Sequence, residues 1–339
     1  MISCLRAAGV DVAEVHAPVW DDLRHGWNAG VATAARLAAA EARLLARRPP
    51  VGDVVVVGYP GHFDLPAARR AARGRPVVFN PLVSLADTLV TDRGRFAPGS
   101  FAARLLERVD RAAFDAADLV VADTEAHAHF FAGLTTTPVE VCLVGAEERV
   151  FTAGWAPTDP FTVLFVGKLI PLQGVEIVLD AARLLPEHRF RIVGSGQLDA
   201  LLARPPQNVE HLPWVEYERL PAQLHAAGCA LGIFGTSPKA ARVIPNKVFQ
   251  ALACAAPLVT SDTPATRELL VDGESALLVP PGNAHALADA IARLADDAAL
   301  AARLSAGGRR AYEERASEAV LGERWRGVLE RAIAAKPEA

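Results

Sequence analysis

The chain is an α/β protein whose sequence predicts two doubly wound, Rossmann-like parallel sheets facing across a cleft. Short β-branched runs alternate with Ala/Leu/Arg-rich helical stretches along nearly its whole length. The runs are almost continuously apolar, as expected of strands covered by helices on both faces. The alternation breaks once, at the Pro/Gly/Asp-containing stretch "TAGWAPTDP" (152–160), and then restarts. At 339 residues, two cores of ordinary size are the expected solution.

In the first half the predicted strands are "VDVAEVH" (10–16), "DVVVVG" (53–58), "RPVVFN" (75–80), "DLVVAD" (118–123) and "VEVCLVG" (139–145). Helices fall between them, most clearly at 29–47 and 101–116. After the break the strands are "FTVLFVG" (161–167), "RFRIVGSG" (189–196), "VEHLPWV" (209–215), "CALGIFG" (229–235), "PLVTSD" (257–262) and "SALLVPP" (275–281). Residues 298–334 read as closing helices. The start "MISCLRAAGVDVAEVH" opens inside a helix, whereas a doubly wound domain ordinarily begins with a strand and a βα loop. That N-terminal strand and Gly-rich loop are missing from this reading: either the start lies upstream or the fold tolerates the loss.

Composition narrows the function classes. A net charge of -4 provides no basic footprint for nucleic acid. Cys4, Cys142, Cys229 and Cys254 lack metal-ligand spacing and read as reduced, partly buried thiols of a cytoplasmic protein. No apolar run approaches a membrane span and no signal peptide is evident, which leaves peripheral contact at an inner membrane face open. Of 35 basic residues only Lys168, Lys239, Lys247 and Lys336 are lysine. Arginine being the default cation here, each lysine outside the tail invites a specific reason, such as a point charge toward phosphate.

Ligands of parallel sheets bind beyond the carboxyl ends of the strands, so the loops there carry the candidates. In "FVGKLIPLQGVE", Gly167 allows close backbone approach and Lys168 reaches the same space; an ordinary turn with a surface lysine is the alternative. "IVGSGQLDALL" has Gly194 and Gly196 around Ser195 but no third glycine, so it fails the dinucleotide fingerprint and is nearly as consistent with plain backbone packing. In "GYPGHFDLP", His62 and Asp64 follow a strand, and "NPLVSLADT" places Ser84 after the next. A lone loop histidine is more often neither base nor donor. Glu147 and Glu148 are as readily solvated as functional, while His127 and His129 read as helix-surface residues. No Asp-x-Asp occurs, so a divalent metal holding a diphosphate has no obvious carboxylate pair.

The most specific stretch is "PKAARVIPNKVFQALACAAP". Asn246 is placed to cap a helix or donate to an anion, and Pro245 fits a first turn. Val248, Phe249 and Leu252 form the buried stripe; Lys247 and Gln250 share another face. A lysine in the first turn opposes the helix dipole unless an anion sits there. A small-residue core helix with a snorkelling lysine is the competing reading.

These residues together resemble the GT-B nucleotide-sugar-dependent glycosyltransferases, closest to the large retaining family four. "ADLVVADTEAHAHFFAGL", "VCLVGAEERVF", "FVGKLIPLQGVEIVLDAARLL", "RIVGSG" and "PNKVFQALACAAPLVTSDTPATRELLVDGESALLVPPGNAHALADAIARLADD" match its successive motifs in order. The resemblance implies an acceptor-binding domain at 1–154, a nucleotide-sugar-binding domain at 155–315, and a C-terminal helix at 316–339 packing back toward the first domain. It implies that Gly167 and Lys168 meet the donor diphosphate and that Gly194, Ser195 and Gly196 line the nucleotide side. Trp214 and Val215 would meet the base, and Asn246, Lys247, Val248 and Gln250 phosphate or ribose. Lys168, Arg242, Lys247 and His62 become the catalytic candidates, with His62, Asp64 and Ser84 on the acceptor side.

The implied activity is metal-independent, retaining transfer of a sugar from a UDP, GDP or related donor to an acceptor hydroxyl. The acceptor would be a carbohydrate, a lipid-linked molecule or a small molecule, in carbohydrate biosynthesis, with no cofactor. Two family glutamates eight positions apart are replaced by Arg242 and Gln250, the second basic residue of the usual pair by Gln173, and the glycine of "A.G.P" by Ala255. The family's "NGvD" is here Gly145-Ala146-Glu147. These departures leave a non-catalytic GT-B protein that binds nucleotide or a partner as the alternative.

Overall fold

A computed structural model describes residues 1–17, 19, 31–47 and 50–336. The chain separates into two compact units, one of residues 1–123, 127–142 and 322–339 and one of 124–126 and 143–321.

The first unit holds helices α1 (Ile2–Ala7), α2 (Val31–Ala46), α3 (Leu65–Ala72) and α4 (Phe101–Asp115) around strands β1 (Val55–Val57), β2 (Val77–Phe79), β3 (Leu119–Ala122) and β4 (Val139–Val141). The strands pair in parallel in the order β1-β2-β3-β4, with Val56 opposite Val78 and Phe79 opposite Val120. All of β2 and β3 is buried, which explains their uninterrupted apolar sequence. Phe79, Phe114 and Phe131 stack in series through this core, neighbouring ring centroids 5.8 and 5.0 Å apart. Ser100 starts α4 by accepting a hydrogen bond from Ala103 N at 3.2 Å.

Residues 10–16 are not a strand: they form no regular element, and Asp11, Ala13, Glu14, Val15 and His16 are exposed. Alternate residues read Val10, Val12, Glu14, His16 on one side and Asp11, Ala13, Val15 on the other, so neither side is an apolar face for a sheet to cover. Of the helix expected at 29–47, residues 29 and 30 lie outside the described residues.

The second unit contains β5 (Thr162–Val166), α6 (Val175–Leu184), β6 (Arg189–Val193), β7 (Val209–Leu212), α7 (Leu220–Ala226), β8 (Cys229–Leu231), α8 (Asn246–Ala253), β9 (Leu258–Ser261), β10 (Leu277–Val279), α10 (Ala284–Asp296) and α11 (Ala298–Arg315), numbered after α5 (Glu125–Ala132) and with a short α9 (Pro264–Arg267). Six parallel strands run β10-β9-β8-β5-β6-β7. The chain therefore builds outward from β5 in one direction, then returns to β8 and builds in the other. This reversal makes the carboxyl ends of β5 and β8 a topological switch point. One face of the sheet is closed by Phe165, Val178, Ile192, Ile291 and Leu304, the other by Leu164, Val248, Phe249, Leu252 and Tyr312.

Residues 143–154, assigned to the first domain in the sequence reading, group with the second unit. Phe151 is buried in the α8-side core, and Gly154 N donates to Cys254 O at 3.3 Å. The last helix, α12 (Glu318–Ala334), begins in the second unit, where Glu318 N donates to Glu148 Oε1 at 3.1 Å. Its later turns belong to the first unit: Arg331 pairs with Glu140, and the following Lys336 reaches Asp118 at 3.0 Å. Among the described residues no helix is long and apolar enough to cross a membrane.

Candidate functional site

The loops leaving β5, β6 and β8 meet at the switch point of the second unit. Gly167 N donates to Val193 O at 2.9 Å, Leu169 N to Ser195 O at 3.2 Å, and Phe234 N to Gln173 O at 3.1 Å. A Cβ on Gly194 would stand 2.0 Å from Gly167 O, so glycine is required there by another backbone. The Gly194–Gly196 pair thus has a sufficient structural reason in its packing on the Gly167 loop. Ser195 is half-buried, and Gly196 is exposed with its amide donating to Asp199 Oδ1 at 2.6 Å.

Lys168 projects into solvent from this loop, whereas Lys247 does the opposite. It lies in the first turn of α8 with 8% of its surface exposed, its Nζ 3.6 Å from the centre of the Phe165 ring and without a hydrogen-bond partner. Burial drives its ammonium well below the ordinary lysine range, and the helix dipole opposes charge at the same place. Gln173 is 9% exposed, and its Oε1 is also buried without a partner. Both groups converge on Gly167: a Cβ there would be 2.8 Å from Lys247 Nζ and 3.2 Å from Gln173 Oε1.

Lys247 and Gln250 line one cavity of about 10 Å³ with Leu164, Val166, Leu220, Leu224, Ala230 and Leu231. Gln250 is half-buried and hydrogen-bonds Tyr217, whose phenol is pushed upward by burial first and then by Glu147. Tyr217 is a neighbour that the sequence reading missed; the only signal was its place three residues after Trp214 in the loop beyond β7. Trp214 is 62% exposed, with its Nε1 donating to Glu216 Oε1 at 3.2 Å, and Val215 packs partly against the α8-side core. Asn246 does not cap α8: Pro245 is the N-cap, and Asn246 is the exposed first helical residue. Val248 is fully buried and serves the core. Arg242 is half-buried, and its carbonyl accepts a hydrogen bond from Thr124 Oγ1.

The acceptor-side candidates separate. His62 is buried in the first unit, edge-on to Phe79 with centroids 5.2 Å apart, with Nε2 3.2 Å from Asp110 Oδ1 and Nδ1 against the Pro60 carbonyl. Ser84 is 1% exposed and donates to Asp110 Oδ2 at 2.6 Å. Both side chains are buried and held by Asp110 in this structure. Asp110 is the organiser that the sequence reading overlooked, because nothing marks one acid in the amphipathic run of α4. Asp64 is half-buried and bonded to Glu41, whose carboxyl rises to about 8 through burial first and then its hydrogen bond and repulsion with Asp64. His127 is fully buried rather than on the surface, its Nδ1 2.6 Å from Asp123 Oδ1; His129 is exposed. Glu148 is not merely solvated, since it accepts from Tyr312 OH at 3.2 Å as well as from the α12 start. Among the described residues no three His, Cys, Asp or Glu side chains converge as a metal site.

Residues 160–297 match the family described as glycosyl transferases group 1. Over 157 residues the chain is 33% identical to a phosphatidyl-myo-inositol mannosyltransferase of Mycobacterium leprae (strain TN), covering 43% of this chain and 40% of that one. Over 228 residues it is 28% identical to an alpha-D-kanosaminyltransferase of Streptomyces kanamyceticus, covering 64% and 53%. The chain thus spans about half the length, or less, of these relatives. Among solved structures, sucrose-phosphate synthase from Thermosynechococcus elongatus superposes with a TM-score of 0.71 at 18% identity, covering 90% of this chain and 79% of that one. Anabaena HepE in complex with UDP-glucose superposes with a TM-score of 0.67 at 18% identity, covering 87% and 82%. With two parallel-sheet units and these superpositions, the chain has the GT-B fold, and residues 160–297 of its second unit are similar to the group 1 glycosyltransferases.

Proposed function

We propose that the protein transfers a sugar from a nucleoside-diphosphate sugar to an acceptor hydroxyl, with the donor diphosphate seated at the β5/β8 switch point. The observation that carries this reading is the convergence of Lys247 Nζ and Gln173 Oε1 beneath Gly167, next to solvent-facing Lys168. Two unsatisfied polar groups buried at the carboxyl end of a parallel sheet await a partner. The group 1 match and a neighbour solved with UDP-glucose support a diphosphate as that partner.

In this reading Lys168 and Lys247 offset the negative charge that accumulates on the departing nucleoside diphosphate, with the amino end of α8 adding its dipole. The chemistry is metal-independent and retaining. The leaving phosphate oxygen takes the acceptor proton on the same face as the incoming hydroxyl, so no separate general base is needed. Gln250, fixed by Tyr217, bonds the ribose, and Trp214 and Val215 face the base. The acceptor is a carbohydrate or a molecule carrying a free hydroxyl, held by the first unit.

A thermal-shift screen of the full chain against UDP-, GDP- and dTDP-sugars tests this reading. At a hundredfold excess over Kd, a bound donor stabilises by about 2.7 kcal/mol, several degrees of melting temperature. Lys247→Ala and Lys168→Ala should each diminish the shift. If no nucleotide sugar shifts the melting temperature, or neither substitution weakens binding, the reading fails.

A further inference from the structure

Lys247 occupies an environment that suits an amine better than an ammonium. No described residue accepts a hydrogen bond from its Nζ, and it sits at the positive end of α8; the Phe165 ring, 3.6 Å away, is the one contact that favours a cation. The cavity that it lines is otherwise walled by uncharged side chains: Leu164 and Val166 from β5, Leu220 and Leu224 from α7, Ala230 and Leu231 from β8. Gln173 contributes an amide oxygen from the β5 loop, and Gln250 an amide from the same helix, itself bonded to the Tyr217 phenol. Of the cations nearby in sequence, Lys168 is exposed beside Gly167, and Arg242 precedes the helix by one turn. No carboxylate lines the cavity. An amine so placed gains a proton only when a negative charge arrives.

We propose that Lys247 stands uncharged beneath Gly167 in the ligand-free protein and takes up a proton from solvent as a diphosphate binds there, Gln173 Oε1 accepting one hydrogen of the new ammonium. This rests on the donor-site reading above and adds a coupling to it. The balance is simple: one amine and one solvent proton give one ammonium, and no bond to carbon changes. Its burial already drives the lysine toward the neutral form. The dianionic diphosphate of an intact nucleotide sugar has no ionisation near pH 8, so a proton taken up on binding comes from the protein side.

The coupling is read by titration calorimetry of the full chain with UDP-glucose, GDP-mannose or dTDP-glucose, whichever binds, at pH 8 in HEPES and in Tris. The difference in apparent enthalpy between buffers of different ionisation enthalpy counts the protons exchanged. The expected result is net uptake approaching one proton in the wild type, abolished in Lys247→Met. Across the pH range in which uptake approaches one proton, the wild-type Kd should rise by close to tenfold per pH unit, flattening where the lysine of the complex itself deprotonates. Binding without proton uptake in the wild type overturns the coupling and leaves the donor site standing, as does unchanged uptake in Lys247→Met. If none of the three sugars binds, the donor-site reading and the coupling fall together. Should Lys247→Met fail to fold, the wild-type buffer dependence and the pH dependence of Kd decide the matter alone.

Discussion

Asp110→Ala is the perturbation with the largest expected effect on the first unit. The carboxyl is 1% exposed and accepts hydrogen bonds from Ser84 Oγ at 2.6 Å, Leu85 N at 2.8 Å and Ala86 N at 3.0 Å, with His62 Nε2 at 3.2 Å. It thereby pins the loop after β2, which includes Leu82 at φ 56, a left-handed conformation that a bulky residue adopts only when held. Truncation to alanine leaves the buried Ser84 hydroxyl, the buried Leu85 amide and the part-buried Ala86 amide without an acceptor. At about 1–3 kcal/mol for each stranded group, partly relieved by relaxation and water entry, the expected loss is about 3–5 kcal/mol. Asp110→Asn keeps the shape and one acceptor oxygen but turns an NH2 group toward the remaining donors, so about half that loss is expected. Urea unfolding followed by circular dichroism measures both, the midpoint falling with little change in slope. A loss below about 1 kcal/mol for Asp110→Ala would refute the reasoning.

Three further outcomes are expected. Ala255 ends α8 in the left-handed conformation at φ 60, with Ala255 N donating to Leu252 O and Ala256 N to Ala251 O at 3.0 and 2.9 Å, the Schellman pattern that favours glycine. Ala255→Gly should therefore stabilise by about 0.5–1 kcal/mol, raising the melting temperature by about 1–4 °C, and a fall would contradict it. Lys247 binds fewer protons folded than unfolded between its lowered folded value and the ordinary value near 10.5, so its contribution to stability rises with pH across that window. Lys247→Met should stabilise the ligand-free protein at pH 7 by about 1–3 kcal/mol, with the advantage shrinking toward pH 10; a variant equally or less stable at pH 7 opposes this. Burial pushes the thiols of Cys142, Cys229 and Cys254 up to about 12, and Cys4 is buried too. Ellman's reagent at pH 8 should label none of the four until urea unfolds the chain; rapid labelling of the native protein would contradict it.

The second unit was largely legible because its information is local. Each buried parallel strand must be apolar almost throughout, so "TVLFV" and "CAL" announce themselves. Six strands after the break at 152–160 therefore fell within a few residues of their observed ends. Residues 10–16 misled because alternating valines resemble a strand, whereas strandness also requires a neighbouring edge and a covered face.

Site residues were legible as positions and less so as environments. The scarcity of lysine drew attention to Lys247, which the fold buries, and the loop rule put Gly167 and Lys168 beside the carboxyl end of a strand. Whether a side chain there faces water or Phe165 depends on packing between segments some eighty residues apart, which no local pattern encodes. The same holds for His62, a turn residue whose ring is claimed by Asp110 on α4. Ala255 shows the converse: the family resemblance marked that position as a glycine site, and the backbone supplies the reason in its positive φ.

The placement of the donor is tested most directly by hydrogen exchange of the full chain with and without the nucleotide sugar that gives the largest thermal shift. A diphosphate at the β5/β8 switch point should slow exchange in the Gly167–Gly174 loop and in the first turn of α8, whose leading amides have no partner within the helix. Protection concentrated in those two segments is the expected result. Protection confined to the first unit, or spread evenly over both, would contradict it.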